Sequence, residues 1–165
     1  MRRLAVRLAL VAAAVCAGCG GGGGESDPEN RGVQAFPDVL EIARAELGDT
    51  APLHAATVSE TQISFVNVQI GRTVRVIYNP DGVFTGSERV RVGLNPAATF
   101  SIADVPRDAP GRLLAAVQER EDGEVTAFAA TLARGAGGTL VWRAQAQVDG
   151  AARTYQAALD GSLTG

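Results

Sequence analysis

The most regular alternation of apolar and polar positions in this chain lies near its end. There Leu140, Trp142, Ala144, Ala146 and Val148 alternate with Arg143, Gln145, Gln147 and Asp149. A period of two is that of a strand with one buried face. Weaker versions recur: Val66, Val68 and Ile70 against Asn67 and Gln69 in Ile63–Ile70, then Val74, Val76 and Tyr78 in Thr73–Tyr78. Phe128, Ala130 and Leu132 share one side of Val125–Ala133, and Tyr155, Ala157 and Leu159 share one side of the last strand. Two shorter strands are expected at His54–Val58 and around Val90 and Val92, whose neighbours Arg89 and Arg91 face the other way. Asn79-Pro80-Asp81-Gly82, Gly135–Gly138 and Asp149-Gly150 supply the turns between them.

A period of 3.6 appears twice. Val39, Leu40, Ala43 and Leu47 make one apolar stripe after Phe36-Pro37-Asp38, and Gly48-Asp49 stops it. Leu113, Leu114 and Val117 make a second, capped at Asp108 or Ala109, with Pro110 in its first turn and an end near Glu121. The chain therefore reads as α+β, a helix followed by an antiparallel meander, twice over: residues 36–94 and residues 95–165. A unit of about 60 residues buries only about 60% of its unfolded surface. The two should form one compact body, packed together or joined in one sheet with both helices on one face. The inner face of the second unit is mostly alanine around a single tryptophan. Small residues let a helix sit close to a sheet, leaving little room for a deep pocket.

The first two dozen residues follow a different logic. Arg2, Arg3 and Arg7 precede the uncharged run Leu8–Ala17, which is shorter than the roughly 20 residues needed to cross a bilayer core. Residues 1–18 thus read as a secretory signal peptide. Cys16-Ala17-Gly18-Cys19 resembles a bacterial lipobox, in which two small residues precede a cysteine that receives lipid and becomes the new N-terminus. Cys16 stands where that pattern usually has leucine, and Cys16 itself is a poorer acceptor because Val15 would fill the small position. The resemblance implies lipidation at Cys19; the alternative is a cleaved signal peptide and a secreted soluble protein. Since one acyl chain binds membranes only marginally, the diacylglyceryl group of a lipoprotein is what would hold firmly. Gly20–Gly24 and the polar residues after it read as a tether, 19–35. No strand precedes those glycines and no Lys-Ser/Thr ends them, so they are not a phosphate-binding loop.

Removing residues 1–18 leaves twelve arginines, no lysine and eighteen acids, a net charge of about −6 by counting. That argues against nucleic acid as a partner. With Cys19 lipidated and Cys16 removed, no thiol remains for disulfides, zinc or nucleophilic chemistry.

The order helix, hairpin, strand, closed by Tyr155-Gln156-Ala157-Ala158-Leu159-Asp160-Gly161, resembles the PepSY-like modules of secreted bacterial proteins over Pro37–Leu163. Those modules often come in tandem, and the likeness implies a role in binding proteins or modulating peptidases. Cystatin-like folds share the helix-on-sheet plan, so architecture alone does not choose among roles.

Candidate chemistry is sparse. His54 is the only histidine and has no nucleophile elbow or His-x-x-x-His partner, so it reads as a strand-edge residue. Glu119, Glu121, Asp122 and Glu124 lack a calcium-loop pattern and read as a solvated helix end. No metal and no cofactor is expected. Arg72, Arg75, Arg89 and Arg91 put positive charge on the first meander, suited to an acidic partner or a polyanionic envelope polymer, or simply solvating a sheet face. Ile63 and Phe65 make their strand apolar on both sides at its start; either the units cover them or a partner does.

The function expected is a non-enzymatic, lipid-anchored module on the extracytoplasmic side of the cell membrane, or of the outer membrane in a diderm. It would bind a protein or peptide through Ile63, Phe65, Arg75, Arg89 and Arg91 on a sheet face or edge. A carrier of a small apolar ligand is the alternative, and a hydrolase is the reading least supported. Growth with an alkyne fatty acid should label the wild-type chain, and Cys19→Ala should abolish both the label and recovery in the membrane fraction. Label retained on Cys19→Ala would move the anchor elsewhere, and no label on wild type would remove it.

Overall fold

A computed structural model describes residues 30–91 and 96–165. The signal segment, Cys19 and most of the expected tether lie outside the described residues. Helix α1 spans Arg31–Leu47 and α2 spans Ala109–Arg120. The strands are β1 Pro52–Ser59, β2 Ile63–Gln69, β3 Arg72–Tyr78, β4 Phe84–Arg89, β5 Phe100–Ser101, β6 Val125–Arg134, β7 Leu140–Val148 and β8 Ala151–Ala157. They form an eight-stranded antiparallel sheet in the order β4-β3-β2-β1-β6-β7-β8, with β5 paired to the start of β1.

The α1 stripe puts Val33, Phe36, Val39, Leu40 and Ala43 into the core. Its start differs from the one the sequence suggests, since the last residues of the expected tether are helical. The cause is Gly32, whose N–H donates to the Glu60 carbonyl at 3.1 Å. A Cβ on Gly32 would lie 1.8 Å from the Ser59 carbonyl oxygen. The glycine is a close contact between a helix and the β1–β2 turn, not a flexible link. Pro37, in the Phe36-Pro37-Asp38 stretch that opens the apolar stripe, lies inside the helix and withholds one main-chain donor from it. Helix α2 begins as its pattern predicts, with Asp108 at the N-cap and proline in its first turn.

The strands show the alternation read from the sequence most clearly in β7, where Trp142, Ala144, Ala146 and Val148 are buried and Arg143, Gln145 and Gln147 exposed. In β2 the inward set is the opposite of the one that alternation suggested. Ile63 and Phe65 are fully buried in the core, while Val66 lies on the other face and Ile70, beyond the end of the strand, is fully exposed. The strand expected around Val90 and Val92 lies earlier, as β4; Val90 still donates its N–H to the Thr73 carbonyl at 3.0 Å. Val92 lies outside the described residues.

At the centre of the sheet β1 pairs with β6, Ala56 opposite Leu132 and Val58 opposite Ala130. Between them the hydroxyls of Thr57 and Thr131 meet at 3.1 Å. One hydrophobic cluster takes in residues of both helices and of the strands on either side of this junction. A run of ring contacts crosses it: Trp142 to Phe36 at 6.1 Å, Phe36 to Phe65 at 6.3 Å, Phe65 to Tyr78 at 6.2 Å and Tyr78 to Phe84 at 6.2 Å. Three of the four are edge-on, the geometry aromatic quadrupoles favour. The Trp142 indole N–H donates to the Leu159 carbonyl at 3.1 Å, so its polar atom is satisfied in the interior.

Phe36 touches two strands that are far apart in sequence, so Phe36→Ala should cost about 3–5 kcal/mol of unfolding free energy in urea titrations. Gly32→Ala should cost about 1–3 kcal/mol by pushing α1 off the β1–β2 turn. An unchanged urea midpoint for Gly32→Ala would mean that the helix does not start where described.

Candidate interaction surface

The two edges of the sheet are treated differently. At the β8 edge the C-terminal residues fold back: Leu163 bridges to Ala157, and Thr164 donates both its N–H, at 2.9 Å, and its hydroxyl, at 3.1 Å, to the Gln156 carbonyl. At the other edge, nothing among the described residues pairs with the outer side of β4.

The β3–β4 register places Val74 opposite Arg89, Val76 opposite Ser87 and Tyr78 opposite Phe84; directly opposed residues share a face. Val76 and Tyr78 belong to the core, so Phe84, Ser87 and Arg89 extend that same face outward past the last buried strand. Beside them lies an open cleft of about 360 Å³, with Val74, Val76 and Phe84 as apolar lining and Gln69, Arg72, Ser87, Glu88 and Arg89 around it. The large apolar side chains exposed among the described residues, Ile70, Val83 and Phe84, all belong to this β2–β4 limb.

The electrostatics sort the arginines. Arg75 lies on the opposite face and meets Glu88 at 2.5 Å. Arg31, the first residue of α1, meets Asp81 of the β3–β4 turn at 2.8 Å. Both pairs are solvent-exposed and contribute little to stability, yet they engage the two carboxylates of the limb. Arg72 donates only to the neutral Gln69 side chain, at 2.7 Å. Arg89 and Arg91 are exposed and have no ion pair among the described residues. The outer limb of an acidic chain is thus locally basic.

The inner wall of the limb is fixed by Tyr78, whose hydroxyl donates to the Glu46 carboxylate of α1 at 2.6 Å. Burial first, then that bond and the charge of Glu46, hold the Tyr78 phenol well above its usual value. Near the other edge Tyr155 repeats the arrangement, donating to Glu121 at the end of α2 at 2.9 Å. Burial first and Glu121 second raise Tyr155 in the same direction, opposed by the Arg153 guanidinium, which lies 2.9 Å from Glu121.

Of the residues singled out from the sequence, Arg89 and Arg91 stand on this limb and Arg75 behind it. Ile63 and Phe65 are corrected as partner-binding residues, because both are fully buried. His54 sits at the β1 bulge between Leu53 and Ala55, half-buried. Glu121 is engaged by Tyr155 and Arg153, and among the described residues no group of three or more His, Cys, Asp or Glu is placed to hold a metal. Phe84, Val83 and the cleft were not foreseen. The available signal was two apolar residues directly after the Asp81-Gly82 turn, followed by a strand of small and polar residues. No protein-family model, no curated protein and no solved structure matches this chain.

Because folding favours the neutral phenol of Tyr78, its contribution is fully present below the ordinary tyrosine value of about 10 and is lost as pH rises above it. Unfolding free energy from urea titrations should therefore fall between about pH 10 and pH 11. Tyr78→Phe should flatten that fall and cost about 1 kcal/mol at neutral pH. An equally steep alkaline fall in Tyr78→Phe would assign it elsewhere.

Proposed function

We infer that this chain is a lipid-anchored, extracytoplasmic module, fastened at Cys19 to the cell membrane or outer membrane, which binds a segment of another envelope protein and carries out no chemistry itself. The observation that carries the reading is the open β4 edge, lying beside a cleft of mixed polar and apolar lining whose arginines, Arg72 and Arg89, have no ion pair among the described residues. An unpaired edge is a liability that folds usually cover, and this chain covers the end of β8, at Gln156 and Ala157. Edges left open beside a pocket are where extended segments add as further strands. On this reading the chain acts as PepSY-like modules are thought to act, by binding a protein or modulating an envelope enzyme.

The same reading takes the fold as two copies of one helix-plus-meander unit, residues 36–94 and 95–165 extended to include the start of α1, with both helices on one face of the shared sheet. Thr57 and Thr131, whose hydroxyls meet at the centre, are 74 positions apart. At that same spacing Val39, Leu40 and Ala43 of α1 match Leu113, Leu114 and Val117 of α2, all buried. Each half ties a tyrosine of its outer strands to a glutamate near the end of its helix: Tyr78 to Glu46, and Tyr155 to Glu121. The copies have diverged at their edges, the first ending in β4 and the second in the folded-back tail. Divergence at one edge of a symmetric body is where a binding role is best sought.

The test is a photo-crosslinking residue placed at position 84 of the full chain in its own cells. A discrete adduct with one envelope protein is expected from position 84, and a much weaker one from Ala151 at the far edge. Equal labelling from both, or none from position 84, would overturn the reading.

A further inference from the structure

The β4 edge and the cleft beside it specify the ligand more closely than "a protein segment". The bond from the Val90 N–H to the Thr73 carbonyl fixes the phase of the β3–β4 ladder. In an antiparallel pair, alternate residues exchange main-chain bonds with the partner strand. Gly86 and Glu88 therefore share the phase of Val90 and bond inward to β3, while Ser87 and Arg89 turn their N–H and C=O groups outward. Ser87 and Arg89 also share the face that carries the cleft. An added strand would hydrogen-bond at these two residues and lay alternate side chains along the cleft.

The charge of that strand follows from the limb. Among the described residues Arg89 and Arg72 flank the cleft without a carboxylate partner, because the Glu88 carboxylate is held on the opposite face by Arg75 and that of Asp81 by Arg31. The residue opposite Arg89 meets a guanidinium at cross-strand distance, where opposite charges stabilise and like charges destabilise. Two residues further on it passes the small Ser87, and two beyond that it reaches the exposed ring of Phe84.

A second copy of the chain does not supply this pattern. Any in-phase antiparallel pairing of two β4 strands opposes outward-bonding residues to one another, which keeps Glu88 off the face of Arg89. In that pairing a second copy offers Arg89 no carboxylate, and the charge of the limb favours an acidic segment of a different chain.

We propose that β4 accepts, as an added strand, an extended peptide segment with a carboxylate side chain opposite Arg89 and a large apolar side chain four residues away beside Phe84. The proposal rests on the reading of the chain as a segment-binding module and names the chemistry of the segment. It makes Arg89 the residue that selects for acid and Ser87 the residue that docks the main chain.

The test uses the full-length chain in detergent and fluorescent ten-residue peptides. Each is mostly threonine, with one glutamate and one phenylalanine four positions apart, made in both chain directions. One of the two directions should bind, and replacing its glutamate with lysine should weaken binding about tenfold. Arg89→Glu should invert that preference. Ser87→Pro should abolish binding while leaving the urea midpoint unchanged, since Ser87 gives no main-chain bond to β3. Failure of both peptides to bind, or binding indifferent to Arg89→Glu, would overturn the proposal. So would capture by phosphatidylglycerol vesicles that survives Ser87→Pro and is lost only on removing the arginines, which would assign the limb to the membrane surface. If position 84 still crosslinks an envelope protein in cells while Arg89→Glu changes nothing, the acidic ligand is refuted and the segment-binding reading stands.

Discussion

The fold depends on the pairing of β1 with β6. Each half of the chain, at about 60 residues, would be marginal alone, and each carries a strand next to its helix whose outer side would otherwise be a raw edge. Joining those two strands removes both edges at once and runs one hydrophobic cluster across the junction. Apart from Leu132, the side chains at the seam are small or β-branched: Ala56, Thr57, Val58, Ala130 and Thr131. One threonine hydroxyl donates to the other there, a side-chain bond across the seam. Because the seam is central, the two remaining edges lie at the far ends of the sheet, and the partner-binding question reduces to how each end is finished.

The aromatic run turns that geometry into rigidity at one end. Phe36 reaches from α1 to both halves of the sheet, and from Phe65 the contacts pass through Tyr78 to Phe84. A ring at the last strand is thus connected by four successive contacts to the fully buried Trp142. Half of Phe84 stays exposed. A side chain that is both anchored and exposed loses little conformational freedom when something packs on it, which makes it a better contact than a mobile apolar residue of the same area.

How much of this was legible in the sequence depended on how local the cause was. Strand β7 and the Asp149-Gly150 turn were readable because alternation and turn chemistry are properties of neighbouring residues; Asp149 and Gly150 both adopt the positive φ that such a hairpin turn demands, 49° and 77°. The start of α1 was not, because Gly32 is there for its contact with Ser59 and Glu60, nearly thirty positions on, whereas its composition merges with the glycine tether before it. The inward face of β2 was ambiguous for a different reason: with Ile63, Phe65, Val66 and Val68 all apolar, period two has no contrast, and only the neighbours decide. The arginines of the first meander were visible as charge, but which of them is neutralised depends on the β3–β4 register that sets Arg75 against Glu88. Nothing in the sequence alone announces that β4 ends the sheet.

The finish of that end argues that its openness is tolerated by design of the strand rather than overlooked. β4 is six residues long, shifts register against β3 near Tyr78, and contains Gly86 and charged residues at its exit. Short length, irregular register and charge are the devices by which natural edges avoid pairing with copies of themselves. They discriminate without closing the edge: Arg89 opposes another Arg89 or a neutral residue of a second copy, while still welcoming a carboxylate. The β8 edge uses the other solution and spends its last residues on covering itself. Under the proposed function, an edge that opposes its own copy yet stays unpaired is what an added strand requires.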